Sequence, residues 1–220
     1  MIVIDPLEHT RIGIATTYGR PYYKFVQSLQ NLNLKFDSIL PDEIDSYEGN
    51  LIMTTRNESP KITKKPIFHE EILDKPPTVI RGMILRVMDS GFENEELIIG
   101  VDPGSRIGLS VYYFGKEIES SLHSSVENLV DHIISILAGL RAKRKVVKIG
   151  NGNMEIAKKI SKILNLKFCS SFELEFVDEQ RTSLKIKNYN QRGKRDKLSA
   201  KYITQREGYR HFVLPLSITG

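Results

Sequence analysis

The run Leu97-Ile98-Ile99-Gly100-Val101-Asp102-Pro103-Gly104-Ser105-Arg106-Ile107-Gly108-Leu109-Ser110-Val111 decides how the rest of the chain is read. Apolar and small residues lead directly into Asp-Pro-Gly, and a second β-rich run follows Ser-Arg. A strand of this composition is buried and carries a carboxylate to its exposed end. There a glycine lets a ligand or a second chain approach the backbone closely.

Downstream of this opening, Ile107 to Phe114 and Ile118 to Leu122 flank Gly115-Lys116, which predicts a β-hairpin turning at the glycine. Val126, Leu129, Val130, Ile133, Ile134, Leu137 and Leu140 keep helical spacing for four turns, with Ser124 and Glu127 at capping-box spacing. Lys145 to Ile149 predicts a short strand leading into Gly150-Asn151-Gly152-Asn153. A helix with Ile156, Ile160 and Ile163 on one face follows, then a strand over Phe168 to Val177. The last helix is predicted from about Lys194 to Gln205. The element order is therefore β-β-β-α-β-α-β-α over a domain of residues 93–220.

Upstream, residues 1–92 predict a small α/β domain of unassigned role. Ile12, Ile14 and Ala15 suggest a strand. Tyr22, Phe25, Val26 and Leu29 form a helical stripe, and Pro21 suits its first turn. Leu34 to Leu40 and Leu51 to Thr54 are further strand candidates. Four prolines and four lysines between Ser59 and Pro77 predict an irregular linker. Ile80, Met83, Ile84, Val87 and Met88 form a second helical stripe, with Gly91 placed to end it. Neither Asp5, His9 and Arg11 nor His69-Glu70-Glu71 has catalytic or ligand spacing, so this domain is expected to bind a partner or to dimerise.

Composition sets outer limits. With 220 residues and 40% hydrophobic content, the chain can fill the cores of two domains. One cysteine, Cys169, excludes an intrachain disulfide and a cysteine-based zinc site. No apolar run reaches the roughly 18 residues of a membrane span, so the expectation is a soluble, cytoplasmic protein without a membrane partner. Residues 1–93 hold 11 Lys and Arg against 13 Asp and Glu, whereas residues 94–220 hold 21 against 14. The net charge of +5 thus arises in the C-terminal part, where a polyanion would dock.

Three segments carry a resemblance. They are Ile99-Gly100-Val101-Asp102-Pro103-Gly104-Ser105-Arg106-Ile107-Gly108, Val177-Asp178-Glu179-Gln180-Arg181-Thr182-Ser183 and Lys194-Arg195-Asp196-Lys197-Leu198-Ser199-Ala200. In this order, over residues 96–208, they resemble the ribonuclease-H-like superfamily. Within it they are similar to RuvC-type Holliday-junction resolvases and to the YqgF family linked to pre-ribosomal RNA processing. The resemblance implies a metal-dependent nuclease acting on structured DNA or RNA. Asp102, Glu179 and Asp196 would be its catalytic metal ligands, and Mg²⁺ or Mn²⁺ its cofactor. Arg106, Arg181, Lys194 and Arg195 would contact nucleic acid. Resolvases of this type act as homodimers, whereas the YqgF family has no such requirement.

The chemistry supports such a set independently. Two hard cations about 3.5–4 Å apart can activate water and stabilise the leaving oxygen of a phosphodiester. Mg²⁺ favours oxygen ligands and keeps several waters, so two to four converging carboxylates suffice. Asp196 shares a helical face with Ala200 and Ile203, which would aim it at the sheet. Alternation along Phe172 to Val177 sets Asp178 with the apolar face and Glu179 with the opposite one. A bulge would exchange them, leaving Asp178 as the alternative second acid. Basic residues follow: Arg181, Lys185, Lys187, Arg192, Lys194, Arg195, Lys197 and Lys201, with the stretch Lys187 to Arg195 predicted as a loop able to contact phosphates.

The chain also departs from both patterns. RuvC-type enzymes place a glutamate where Val146-Val147-Lys148-Ile149 ends, yet no acid follows here before Glu155. Gly150-Asn151-Gly152-Asn153 stands where the YqgF family often has Gly-Leu-Pro, and only Asp196 represents the last-helix acids. A catalytically inactive nucleic-acid-binding or assembly module with the same fold therefore stays open as an alternative. An actin-like nucleotide-binding protein is the third reading, since its first phosphate loop also opens on Asp-x-Gly before a hairpin. That fold needs a second Asp-Gly loop, and Gly150-Asn151-Gly152 lacks the aspartate.

Overall fold

The computed structural model describes residues 7–88, 95–167, 172–178 and 192–211, with the side chains of Arg192 and His211 excepted. Asp5, Gly91, Glu179, Arg181, Lys185 and Lys187, and the expected strand start at Phe168, lie outside these residues. The chain forms two compact units, Met1–Phe92 and Glu93–Gly220. No helix among the described residues is long and apolar enough to cross a membrane.

The first unit is built on β1 (Ile12–Ala15), α1 (Gly19–Asn31), β2 (Phe36–Ile39), β3 (Leu51–Thr54), β4 (Ile67–His69) and α2 (Pro77–Met88). Its four strands are all parallel, in the order β2-β1-β3-β4. Phe25 and Leu29 bury the α1 stripe, and β1 and β3 are buried along their whole length. Such strands read as short apolar runs because both faces are covered. The expected linker between Ser59 and Pro77 is corrected, since β4 lies inside it and pairs Ile52 with Ile67 and Thr54 with His69. Three residues between Pro66 and Glu70 are too few to show a period. Glu70 accepts a hydrogen bond from the Arg56 N–H (3.0 Å), and Glu71 is ion-paired with the Arg56 guanidinium.

The second unit contains β5 (Glu96–Asp102), β6 (Ile107–Tyr113), β7 (Lys116–His123), α3 (Val126–Gly139), β8 (Arg144–Gly150), α4 (Met154–Lys167), β9 (Glu173–Val177), α5 (Arg192–Thr204) and β10 (Tyr209–His211). Its six-stranded mixed sheet runs β10-β9-β8-β5-β6-β7. β5, β6 and β7 form an antiparallel meander, while β8 and β9 run parallel to β5. The expected order β-β-β-α-β-α-β-α, with one further strand at its end, forms an α/β domain with a mixed sheet, and a smaller α/β unit precedes it in the chain. The hairpin turns at Phe114 and Gly115, which have φ of 50° and 73°. Two successive positive φ values match the right-handed twist of the flanking strands.

Leu129, Val130, Ile133, Ile136 and Leu137 form the buried stripe of α3. Its cap is Ser125 rather than Ser124, because the Ser125 Oγ accepts the Asn128 N–H at 3.3 Å. In α4 the buried face is Ala157, Ile160, Ser161 and Leu164, rotated from the expected Ile156, Ile160 and Ile163. β10, which no alternation announces, adds an antiparallel edge by pairing Tyr209 with Phe176 and His211 with Leu174. α5 starts at Arg192, so Lys194 and Arg195 are helical and not in the expected loop.

Candidate functional site

The parallel strands β5, β8 and β9 end together, as set by Val101 beside Ile149 and Gly150 beside Val177. Asp102 stands at that end, partly buried, and pairs across the β5–β6 ladder with Gly108. A Cβ at Gly108 would lie 2.9 Å from the Asp196 carbonyl carbon and 3.3 Å from the Ala200 Cβ. Two turns further along, a Cβ at Gly100 would lie 3.2 Å from the Thr204 nitrogen. The two glycines thus let the α5 backbone rest directly on β5 and β6. Directly opposed residues of a ladder share a face, so Asp102 and Asp196 lie on the same face of the sheet and at the same strand end. The Asp196 side chain is only 15% exposed, although its helix neighbour Arg195 is 58% exposed with Nε at 3.9 Å from Asp196 Oδ1.

Asp178 belongs to a different environment. It follows Val177 and is exposed, and its Oδ1 accepts a hydrogen bond from Asn151 Nδ2 at 3.3 Å. Arg206 Nη1 donates to its backbone carbonyl at 3.2 Å. Among the described residues, Asp102, Asp178 and Asp196 form no cluster with ligand atoms within 4.8 Å of one another. Glu179 and Arg181 are outside the described residues.

Of the candidate phosphate contacts, Arg106, Lys194 and Arg195 are exposed, with Arg106 on the loop leaving Asp102. Lys201 is not available in the same way. Its Nζ donates to Glu117 Oε2 at 3.1 Å and sits 5.9 Å from the centre of the Tyr112 ring. Hydrogen bonds with Tyr112 and Glu117 hold its ammonium above the ordinary lysine range. A buried pair holds the chain just past α5: Lys148 Nζ lies 3.5 Å from Glu175 Oε2 and donates to the Arg206 carbonyl.

A second group was not anticipated from the sequence. Glu119 and His123 on β7 and His132 on α3 place ligand atoms within 4.8 Å of one another. His132 Nε2 lies 3.0 and 2.8 Å from the two Glu119 oxygens, and Ser121 Oγ bridges Glu119 Oε1 (2.5 Å) and His123 Nε2 (3.1 Å). The available signal was Glu119-x-x-x-His123 on one strand, whose even spacing sets both side chains on one face. Only the fold brings in His132.

No protein-family profile matches the chain, and no curated protein does either. Among solved structures it is similar to Clostridium butyricum Argonaute bound to a guide DNA and a 19-mer target DNA. That likeness has 8% identity and a TM-score of 0.24, over 80% of this chain and 36% of that one.

Proposed function

We propose that the C-terminal unit is a metal-dependent nuclease, similar to the RuvC-type and YqgF families, acting on structured DNA or RNA. The observation that carries this reading is the seating of the α5 backbone at Asp196 on Gly108, the ladder partner of Asp102. A helix carboxylate and a strand-end carboxylate then share one face, as a phosphodiesterase site built on several elements requires. Their all-oxygen donors suit Mg²⁺ or Mn²⁺, and Glu179 is the proposed third ligand. When bound, such ions supply a nucleophilic water and stabilise the leaving oxygen. Asp102 and Asp196 hold negative charge at the strand end, while Arg106, Arg181, Lys194 and Arg195 draw the phosphate backbone toward it.

A non-catalytic nucleic-acid-binding module is the second reading. It is favoured by β8, which ends at Gly150 beside β5 and presents no carboxylate there. One experiment separates the two: incubation of branched DNA and structured RNA with the wild type and Asp102→Asn, in Mn²⁺ and in chelator. The nuclease reading expects Mn²⁺-dependent cleavage that falls by about 100-fold or more in the variant. If the wild type cuts neither substrate, or the variant cuts equally well, the catalytic assignment fails. Retained binding without cleavage then identifies the module.

A further inference from the structure

We propose that Glu119, His123 and His132 bind a borderline divalent transition metal, of the Zn²⁺ class, which ties the edge strand β7 to α3. This site is separate from the acidic one. Leu122 pairs with Gly108, and a Cβ at Gly193 of α5 would lie 3.0 Å from Leu122 Cδ1, so Leu122 belongs to the α5 face. His123 alternates to the other face, where α3 supplies His132. The Asp102 and Asp196 carboxylates therefore lie across the sheet from the two histidines, and this inference does not rest on the nuclease reading.

The donor set selects the ion class. Two imidazoles and one carboxylate suit Zn²⁺ and its neighbours, whereas Mg²⁺ favours an all-oxygen shell. Three protein ligands leave one tetrahedral position for water, and the group is reachable by solvent, with Glu119 and His132 side chains 14% and 22% exposed. Ser121, hydrogen-bonded to Glu119 and to His123, provides the outer contact that orients ligands.

The two imidazole rings lie 5.5 Å apart, each within reach of the Glu119 carboxylate. One divalent ion would satisfy both rings and the carboxylate together.

The test is calorimetric titration of Zn²⁺ into the chelator-stripped full chain, alongside thermal unfolding with Zn²⁺ and with Mg²⁺. One equivalent of Zn²⁺ should bind and raise Tm, while Mg²⁺ at the same concentration should not produce that shift. His123→Gln, His132→Gln and Glu119→Gln should each weaken Zn²⁺ binding by about tenfold or more, and Asp102→Asn should leave it unchanged. Histidine ring ¹⁵N shifts of the wild type provide a readout that survives a variant's failure to fold. Zn²⁺ should move two of the five histidines. Absence of stoichiometric binding, equal binding by the three variants, or loss of binding in Asp102→Asn alone would overturn the assignment.

Discussion

Asp102 and Gly108 face each other across the β5–β6 ladder, and the side chain that Gly108 lacks is what admits the α5 backbone at Asp196. The obstruction a Cβ would meet is a carbonyl group in a helix, which cannot swing aside as a flexible side chain does. Gly108→Ala should therefore shift α5 and cost about 1–3 kcal/mol by overpacking. Gly19→Ala is the control, since nothing lies within 4 Å of a Cβ there. It should change stability by less than about 0.5 kcal/mol. Urea denaturation of the two variants makes the comparison. Equal stability of Gly108→Ala and wild type would contradict the close seating.

The Lys148–Glu175 pair lies one row below, at the level of Gly100, with side chains only 10% and 11% exposed. Among the described residues, Lys148→Met leaves Glu175 with Arg144, at 3.4 Å, to balance its charge. Breaking a buried pair on one side costs about 3–5 kcal/mol, and the remaining arginine places this variant at the low end. Replacing both partners, as in Lys148→Met with Glu175→Leu, should recover most of that loss because no charge stays buried. A double-mutant cycle by chemical denaturation reads the difference. If the double variant is no more stable than Lys148→Met, the pair is not the source of the effect.

The same pair shows where sequence patterning stops. Leu97, Ile99 and Val101 are buried beside each other, so the apolar lead-in to Asp102 was legible as a covered strand. The order of the meander, α3, β8 and α4 followed from local periods. Glu175 is buried too, but alternation assigns it to a polar face, because only Lys148 and Arg144 from a neighbouring strand make its burial tolerable. Tyr209–His211 and Ile67–His69 were missed for a related reason: three-residue edge strands are held by ladder partners and have too few residues for a period. The acids at 102 and 196 were legible as strand-end and helix-face carboxylates. Their shared face depends on Gly108, whose role is visible only once α5 is in place. His132 lies on α3, and its local context gives no sign that β7 brings Glu119 to it.

Ser125 and Ser124 offer a test of a single hydrogen bond. Ser125 Oγ accepts the Asn128 N–H at the start of α3 and also donates to Glu127 Oε2 at 3.0 Å. An orphan N–H at the first turn is thereby satisfied. Ser125→Ala should cost about 1 kcal/mol. Ser124→Ala should change stability by less than about 0.5 kcal/mol, because it removes no cap. Thermal unfolding of the pair checks this. A larger loss at Ser124 would return the cap to the position that sequence spacing suggests.

Acid should weaken the second unit through Glu173. Hydrogen bonds from Arg144, and then from Arg210, hold its carboxyl at about 2, against an ordinary value of 4.5. Arg144 Nη2 lies 2.9 Å from Glu173 Oε2, and Arg210 Nη2 lies 2.8 Å from the same oxygen. A carboxyl lowered on folding releases its proton more readily in the native state than in the unfolded chain. Its contribution is therefore complete above about pH 4.5 and is lost as pH falls toward about 2. The side chain is 25% exposed and Arg210 is largely exposed, so solvent screening reduces the effect to about 1 kcal/mol. Glu173→Gln should be less stable than wild type by that amount at pH 7, and the gap should close progressively below pH 4.5. Urea midpoints at pH 7, 4 and 2.5 measure it. A gap that stays constant across this range would mean that Glu173 contributes by packing and not by charge.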